Sequence, residues 1–194
     1  MSASLPSHGH DASPAAWIVR HAALIASGAR VLDLASGTGR HARWLAARGA
    51  RVLAVDRDPK ALAALAGVPG VETACQDLET GEWPLAGERF DAIVIVNYLH
   101  RPLFPHLLAA LADDGTLLYE TFARGNERYG RPSNPSFLLE PGELLQVVAG
   151  RLAVVAFEEG HQIAEGRDAV IQRIAAVGAG RPWPPSLPSA APAA

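Results

Sequence analysis

Short apolar runs alternate with amphipathic stretches along most of the chain. The runs VLDLA, RVLAVD and FDAIVIV are rich in Val, Leu and Ile and carry few polar positions. Such runs are typical of strands that are buried on both faces. The stretch GRHARWLAARG instead places Ala42, Leu45 and Ala46 on one side of a helix that Gly49 would end. The pattern therefore predicts strands and helices in alternation.

Turn residues between these runs set the limits of the predicted elements. The first helix is predicted to begin at Pro14, with Ser13 as its N-cap, and to stop near Gly28. Alternation of this kind predicts a parallel sheet with helices on both faces, which the last two strands close as a pair. Further helices are predicted over 39–49, 59–67, 102–113 and 141–150, and strands over 29–35, 51–56, 71–77, 89–99, 115–122, 151–162 and 168–178.

The length of 194 residues and the hydrophobic content of 49% allow one domain with a sizeable core. We predict a single domain over residues 14–180, a flexible N-terminus over 1–13 and a disordered Pro/Ala-rich tail over 181–194. The sequence has no apolar segment typical of a secretory signal, and no apolar run reaches the roughly 20 residues of a membrane span. A cytoplasmic location is therefore expected, and the Ala-, Arg- and Gly-rich usage suggests a bacterial source.

The net charge of -3 gives no basic excess, which argues against non-specific nucleic-acid binding. Because Cys75 is the single cysteine, no internal disulfide is possible, and we expect this thiol to be buried. His8 and His10 have the spacing of a metal pair but lack further ligands, so no metal site is predicted. The composition indicates no particular oligomeric state.

The stretch SGTGRHA directly follows the first predicted strand. Gly37 and Gly39 allow a tight turn and a close approach of the backbone to a ligand, and the next helix offers unpaired N–H groups. The spacing also fits a dinucleotide-binding loop whose third glycine is replaced by alanine. The loop alone therefore leaves a nicotinamide-dependent oxidoreductase open as an alternative.

Acidic residues follow three successive strands, at the edge where a parallel sheet binds its ligands. Asp33 would repel a pyrophosphate, but it would suit a ligand with a cationic amine or hold the N–H groups of the loop. Asp56 is placed to accept both hydroxyls of a ribose, and Gln76 with Asp77 would suit an adenine amino group. Each acid taken singly would serve equally well as a helix cap or a solvated loop residue. A ribose, an adenine and an amino-acid group together describe S-adenosylmethionine.

These motifs resemble those of class I S-adenosylmethionine-dependent methyltransferases. The resemblance implies a Rossmann-like, doubly wound α/β fold, in which a mostly parallel seven-stranded sheet has an antiparallel closing strand and helices on both faces. It also implies S-adenosylmethionine as the cofactor and S-adenosylhomocysteine as the product. Ala35 and Ser36 stand where the family often has Gly-Cys before GTG. The matching stretches, over roughly residues 30–122, are VLDLASGTGRHA, VLAVDRD, CQDLE, FDAIVIVNYLHRPL and LADDGTLLYETF.

A narrower resemblance rests on fewer residues. The stretches GRHA and YETFARGNERYGRPSNPSFLLEPGELL are similar to a small bacterial subgroup described as tellurite-resistance-like methyltransferases. This resemblance does not imply that the chain acts on tellurite.

The predicted site combines the strand ends with the resemblance. Methyl transfer from a sulfonium is an in-line displacement, so alignment contributes most, and a general base is needed only for a weak, protonated nucleophile. The residues predicted to shape catalysis are Asn97, Tyr98, His100 and Glu120. The residues predicted to bind the cofactor are Asp33, Ala35, Ser36, Gly37, Thr38, Gly39, Asp56, Arg57, Gln76, Asp77, Leu78 and Asn97.

Simpler roles are open for some of these residues. His100 would serve equally well at the start of a helix or in packing. Glu120 would equally form an ion pair with an arginine of the following loop, namely Arg124, Arg128 or Arg131.

The long polar loop over 124–136 lies at the ligand edge of the predicted sheet and is a candidate lid. Its arginines suit an acidic acceptor, or they tie the loop to Glu127, Glu140 and Glu143. We see no separate segment for recognising a macromolecule, so we predict a methyltransferase of a small-molecule acceptor, with no nucleic-acid or membrane partner. A cofactor-binding regulatory or scaffold subunit without turnover is the second hypothesis.

Overall fold

The computed structural model describes residues 13–164 and 167–185 and is built on one seven-stranded sheet. The strand order is β3-β2-β1-β4-β5-β7-β6, and β7 runs in the direction opposite to that of the other six strands. This confirms the predicted fold class. The predictions for residues 1–12 and 186–194 lie outside the described residues. The strands are β1 (Arg30–Leu34), β2 (Arg51–Asp56), β3 (Val71–Cys75), β4 (Phe90–Val96), β5 (Leu111–Phe122), β6 (Leu152–Ala164) and β7 (Arg167–Gly178).

The described part of the chain has five α-helices, of which α1 precedes β1 and the other four lie between strands. Short 3₁₀ turns supplement them at Ala22–Leu24, Arg101–Leu103, Asn126–Arg128 and Pro135–Phe137. None of the described helices has the length and apolar character needed to cross a membrane. The helices are α1 (Ala16–His21), α2 (Arg40–Ala47), α3 (Pro59–Ala63), α4 (Phe104–Ala110) and α5 (Glu143–Val148).

The sheet separates two apolar clusters, because successive residues of a strand point to opposite faces. On one face, Val31 of β1 packs in a cluster with Trp17 of α1 and Leu45 of α2. On the other face, Leu32 lies in a cluster with Leu107 of α4 and Leu144 of α5. Burial on both faces explains why the central strands are almost continuously apolar.

The first helix differs from the prediction. It covers only Ala16–His21 before a 3₁₀ turn, and Ser13 is not its N-cap. The N–H of Ala15 donates instead to Nε2 of His41, at 3.1 Å, and the indole N–H of Trp17 donates to the carbonyl of Ile174 at 3.2 Å. Contacts with α2 and β7, which the local sequence does not reveal, therefore set where this helix begins.

The fourth helix is also shorter than predicted. It ends at Ala110, and Leu111 is already extended and pairs with Phe90 of β4. Leu111 is buried in the apolar cluster that also contains Leu107. Its apolar side chain fits the helical pattern as well as the strand pattern, so the ladder with β4 decides its conformation.

A single buried amide joins α5 to the sheet. Gln172 of β7 is fully enclosed. Its Oε1 accepts a hydrogen bond from the N–H of Leu144 at 2.6 Å, and its Nε2 donates to the carbonyl of Glu140 at 3.1 Å. The N–H of Leu144 lies in the first turn of α5, where a helix leaves its N–H groups unpaired.

We predict that Gln172→Leu lowers the free energy of unfolding by roughly 1–3 kcal/mol, because it leaves the N–H of Leu144 buried without its hydrogen-bond partner. Urea unfolding followed by circular dichroism measures the change. Gln146→Leu, at an exposed position of α5, is the matched control and is expected to stay within about 0.5 kcal/mol of the parent protein. Equal stabilities of the two variants would contradict the role of Gln172.

Candidate functional site

The loop between β1 and α2 has an unusual backbone. Ala35, Gly37 and Gly39 all have positive φ, at 54°, 56° and 78°. A Cβ added to Gly37 would meet nothing within 4 Å, whereas one added to Gly39 would overlap the side chain of Leu65. Gly37 therefore faces open space, and Gly39 is required by packing against the chain that follows α3.

Asp33 lies behind this loop and is only 1% exposed. Its Oδ2 accepts a hydrogen bond from the N–H of Ala42, in the first turn of α2, at 2.9 Å. Burial raises the pKa of Asp33 to about 7, against the smaller opposing effect of that hydrogen bond. Of the two roles considered from the sequence, the structure shows this carboxyl in contact with a backbone N–H group of the loop–helix segment.

Asp56 joins the loop to the end of β2. Its Oδ2 accepts from the N–H of Gly37 at 2.7 Å, and its Oδ1 accepts from the N–H of Asp58 at 2.9 Å. The side chain is half-buried. Each carboxylate oxygen has a further lone pair, so this group can still accept hydrogen bonds from two hydroxyls.

The end of β3 lies beside Asp56. The N–H of Gln76 donates to the carbonyl of Asp56 at 2.9 Å, and Asp77 accepts from the N–H of Glu79 at 2.9 Å. The side chains of Gln76 and Asp77 are exposed. Cys75 is exposed too, so the expectation of a buried thiol is wrong. The reason is that β3 is an edge strand, at one end of the sheet.

Asn97 follows β4 with a φ of 58°, a conformation that asparagine tolerates better than most residues. Its N–H donates to the carbonyl of Glu120 at 2.9 Å, which joins the ends of β4 and β5. Its side chain is exposed. Asn97 therefore stands where β4 and β5 end side by side.

Tyr98 follows Asn97, and its side chain is half-buried. Its hydroxyl is enclosed and has no hydrogen-bond partner among the described residues. Burial raises the pKa of this hydroxyl, and the carboxylates of Glu79 and Asp77 raise it further. Its carbonyl accepts a hydrogen bond from the hydroxyl of Tyr119 at 2.8 Å. The side chain packs against the apolar cluster that contains Leu32 and Leu107.

Glu120 pairs with Arg173, an arginine of β7 that the sequence analysis did not consider as its partner. Nη1 of Arg173 lies 3.2 Å from Oε2 of Glu120, because the antiparallel register places the two residues directly opposite each other. Arg173 also binds Glu158 of β6 and lies 4.9 Å from the ring centroid of Trp17. Burial raises the pKa of Glu120, and the guanidinium of Arg173 partly offsets this effect.

His100 lies apart from these groups. It lines a cavity on the α4 face with Leu78, Trp83 and His106. It precedes the 3₁₀ turn before α4 and gives no side-chain cap. The sequence alone could not distinguish this position from one at the strand ends.

The loop after β5 is held by residues that the sequence analysis did not single out. Asn126 is buried, accepts from the N–H of Val170 at 3.1 Å and donates to the carbonyl of Pro132 at 2.9 Å. Arg101 makes two hydrogen bonds to Glu143, at 2.7 Å and 2.8 Å. Among the expected loop pairs, Arg124 does contact Glu140, at 3.3 Å. No local pattern marks Asn126 or Arg101, because their partners are distant in sequence.

Arg173 was also missed, for the same reason. Its partners come from β5, β6 and α1. In a sequence, an arginine in the middle of a strand pattern indicates only that its side chain is either exposed or paired with an acid. The strand register is needed to show that Arg173 is paired and with which acids.

The residues at this edge fit an adenosyl ligand. The open face of Gly37, the paired carboxylate of Asp56 and the exposed Gln76 and Asp77 follow three neighbouring strands. Ser36 adds a buried hydroxyl with no partner among the described residues. Carboxylates accept hydrogen bonds from ribose hydroxyls and adenine amines, which is the chemistry that such a ligand needs.

Comparisons with known proteins agree with this geometry. The family model for the methyltransferase domain matches residues 31–115. No curated protein sequence matches the chain significantly. The similar solved structures include TehB from Haemophilus influenzae, with a TM-score of 0.70 and 19% identity over 83% of this chain. The chain covers 61% of that protein.

Two further structures are covered more completely. A TehB-like SAM-dependent methyltransferase from Corynebacterium glutamicum has a TM-score of 0.59 and 21% identity, over 84% of this chain and 86% of that one. A SAM-dependent methyltransferase from Mesorhizobium loti has a TM-score of 0.62 and 22% identity, over 80% and 94%. Residues 31–115 are therefore similar to a methyltransferase domain, and the chain shares its fold with these S-adenosylmethionine-dependent methyltransferases.

The buried carboxyl of Asp33 predicts a pH dependence of stability. Its folded pKa of about 7 lies above the usual 3.8, so the folded protein holds this proton more tightly than the unfolded chain. The contribution of protonated Asp33 to the free energy of unfolding is therefore fully present below about pH 4, and it is lost as the pH rises to about 7. Asp33→Asn keeps an oxygen for the N–H of Ala42 but does not ionise.

We expect the free energy of unfolding of Asp33→Asn, relative to the parent protein, to rise between about pH 4 and pH 7 and to level off above. Urea titrations across this range measure it, and Asp114→Asn, at an exposed position, is the control. A difference that does not change with pH would show that burial does not perturb Asp33.

Proposed function

We propose that the chain is an S-adenosylmethionine-dependent methyltransferase, which transfers a methyl group to a small-molecule acceptor by in-line displacement at the edge formed by the ends of β1, β2, β3, β4 and β5. The observation that carries the proposal is the hydrogen bond from Gly37 to Asp56 beneath an open loop face. It holds a ligand-accessible backbone next to a carboxylate that can still accept hydroxyls. Coclaurine N-methyltransferase, whose structure has N-methylheliamine and SAH bound, shares the fold with a TM-score of 0.59 and 19% identity.

In this proposal the cofactor lies across the strand ends. Asp56 accepts the ribose hydroxyls, and Asp77 with Gln76 takes the adenine amino group. Leu78 is mostly buried, so its backbone rather than its side chain faces the adenine. Arg57, exposed after β2, covers the adenosine from the solvent side.

The glycine loop takes the methionine part of the cofactor. The backbone of Ala35, Ser36, Gly37 and Thr38 approaches it closely, because no side chain covers Gly37. Asp33 acts indirectly, by holding the first turn of α2 through Ala42. Gly39 keeps the loop against Leu65 and does not contact the ligand.

The bound cofactor supplies a methyl group on a sulfonium, which is already an activated leaving group. The protein then has to align the acceptor and exclude water, which is worth up to roughly 7–11 kcal/mol of the barrier. Asn97, exposed at the junction of β4 and β5, orients the acceptor. Glu120 forms part of the wall and is held by Arg173. His100 lies in the separate cavity on the α4 face, so we assign it no role in transfer.

The charge of the acceptor does not follow from the loop arginines. Arg124 is paired with Glu140, which leaves its guanidinium largely compensated. The earlier suggestion of an acidic acceptor therefore has no support from this residue. The 124–136 loop is tied through Asn126 to β7, so a role as a lid would require that hydrogen bond to break.

The first experiment is calorimetric titration with S-adenosylmethionine, S-adenosylhomocysteine and NAD in parallel. We expect micromolar binding of both adenosyl ligands and no binding of NAD, followed by turnover in a screen of small acceptors. Binding without turnover on any small acceptor would favour a regulatory or scaffold role. Binding of neither adenosyl ligand would contradict the proposed site.

We predict that Asp56→Ala weakens binding of S-adenosylhomocysteine roughly tenfold to hundredfold, because it removes a charge-assisted acceptor worth about 1.5–3 kcal/mol. The same titration measures the dissociation constant. Asp58→Ala removes an exposed carboxylate two residues away that caps α3, and it is expected to leave the affinity unchanged. An equal loss of affinity in both variants would contradict the role assigned to Asp56.

The two loop glycines are expected to respond differently to alanine. Gly37→Ala places a methyl group in the open ligand space, so the cofactor affinity should fall roughly tenfold or more while stability falls by only about 1–2 kcal/mol. Gly39→Ala overlaps Leu65 and should lower the free energy of unfolding by roughly 2–4 kcal/mol. Thermal unfolding and titration of both variants separate these effects, and the reverse pattern would refute the assignment.

A further inference from the structure

A concave surface lies on the side of the sheet that α4 covers, here called the α4 face. Neither the glycine loop nor the acids at the strand ends line it. It consists of two adjoining cavities, of about 260 Å³ and 520 Å³. Both are lined by Gly81, Glu82, Trp83 and His106. Small-molecule pockets commonly have volumes of about 300–1,000 Å³, so the combined space suits a compact organic ligand.

Two aromatic rings form a wall shared by these cavities. The rings of Trp83 and His106 lie 5.7 Å apart between centroids, with planes only 9° from parallel. Trp83 packs against the core cluster of the α4 face, which holds its ring in place. The negative face of an indole attracts organic cations, and tryptophan is the best of the aromatic residues for this contact.

The charges around the cavities all have the same sign. Glu79 and Glu82 are exposed in the wall of the first cavity, and no ion-pair partner for either lies within the described residues. Glu88, in the wall of the second cavity, is paired with Arg30. The residues that line the two cavities include neither lysine nor arginine. A positively charged ligand would meet two uncompensated carboxylates and one aromatic face.

The side chains do not suit a metal ion. Among residues 13–164 and 167–185, no group of three or more His, Cys, Asp or Glu side chains is arranged to hold one. The floor also contains the apolar residues Leu78, Pro102 and Leu103. Carboxylates at the rim, an indole in the wall and an apolar floor favour a cation with an apolar surface.

We propose that this cavity pair binds an organic ammonium ion, with Glu79 and Glu82 facing the charge and Trp83 contacting the apolar groups around it. Desolvated alkylammonium groups gain more from an aromatic face than strongly hydrated ions do. The proposal does not depend on the proposed methyl transfer, because no strand-end acid lines either cavity. The two sites share only the chain segment around Leu78.

The test uses the full-length protein and choline as the probe, with its neutral isostere 3,3-dimethylbutan-1-ol as a matched ligand. Benzyltrimethylammonium is a second, larger cation. We expect saturable binding of at least one cation in calorimetry, and binding of the neutral isostere at least tenfold weaker than that of choline. S-adenosylhomocysteine is titrated into the same samples, so that loss of cofactor binding is recorded separately.

Three variants locate the site. Glu82→Gln and Trp83→Leu are each expected to weaken cation binding about tenfold while the affinity for S-adenosylhomocysteine stays unchanged. Glu72→Gln makes the same charge change at an exposed position of β3 that lines neither cavity, and it should leave cation binding intact. Glu82→Gln replaces an exposed side chain, so its result does not depend on whether Trp83→Leu folds.

Other outcomes would overturn the proposal. No saturable binding of either cation would do so, as would equal binding of choline and its neutral isostere. Cation binding that Glu82→Gln leaves at the parental level would place the ligand elsewhere on the molecule and would equally refute the site.

Discussion

The hydrogen bond from the N–H of Gly37 to the carboxylate of Asp56 is the contact on which the site depends. A loop with three residues at positive φ is costly unless its backbone groups find partners. Asp56 holds the loop from the side of β2, and Asp33 holds the helix that follows it through Ala42. Two carboxylates from neighbouring strands thereby keep an open backbone face beside a group that can accept ribose hydroxyls.

At the β5 side of the same sheet edge, the register between β5, β7 and β6 determines which charged side chains face each other. It places Glu120, Arg173 and Glu158 in one row of alternating charge. Arg20 of α1 extends the row by binding Glu158 at 2.8 Å. Because Arg173 also lies over Trp17, the row holds the first helix against the sheet as well as the wall at Glu120. A single antiparallel strand thus connects the helix before the site to the strand after it.

The two halves of the site are therefore built in different ways. The half proposed to bind the cofactor uses backbone conformation and side chains that directly follow strands, and these are short-range features of the chain. The β5 half uses side chains such as Arg173 and Asn126, whose partners are distant in sequence. The similar solved structures, at 19% to 22% identity, share the fold with this chain. We expect the sequence differences among these proteins to change the choice of methyl acceptor mainly through the β5 half.

The sequence by itself determined the seven strands, the sheet class and the position of the glycine loop, because apolar periodicity and glycine spacing are local properties. It also placed Asp56, Gln76, Asp77 and Asn97 at the strand ends. Only the tertiary structure decided that α1 ends at His21, that Leu111 is extended and that Cys75 is exposed. It likewise chose Arg173 as the partner of Glu120. These outcomes depend on which strand lies at an edge and which residues face each other across a ladder, and neither is encoded within a local window of sequence.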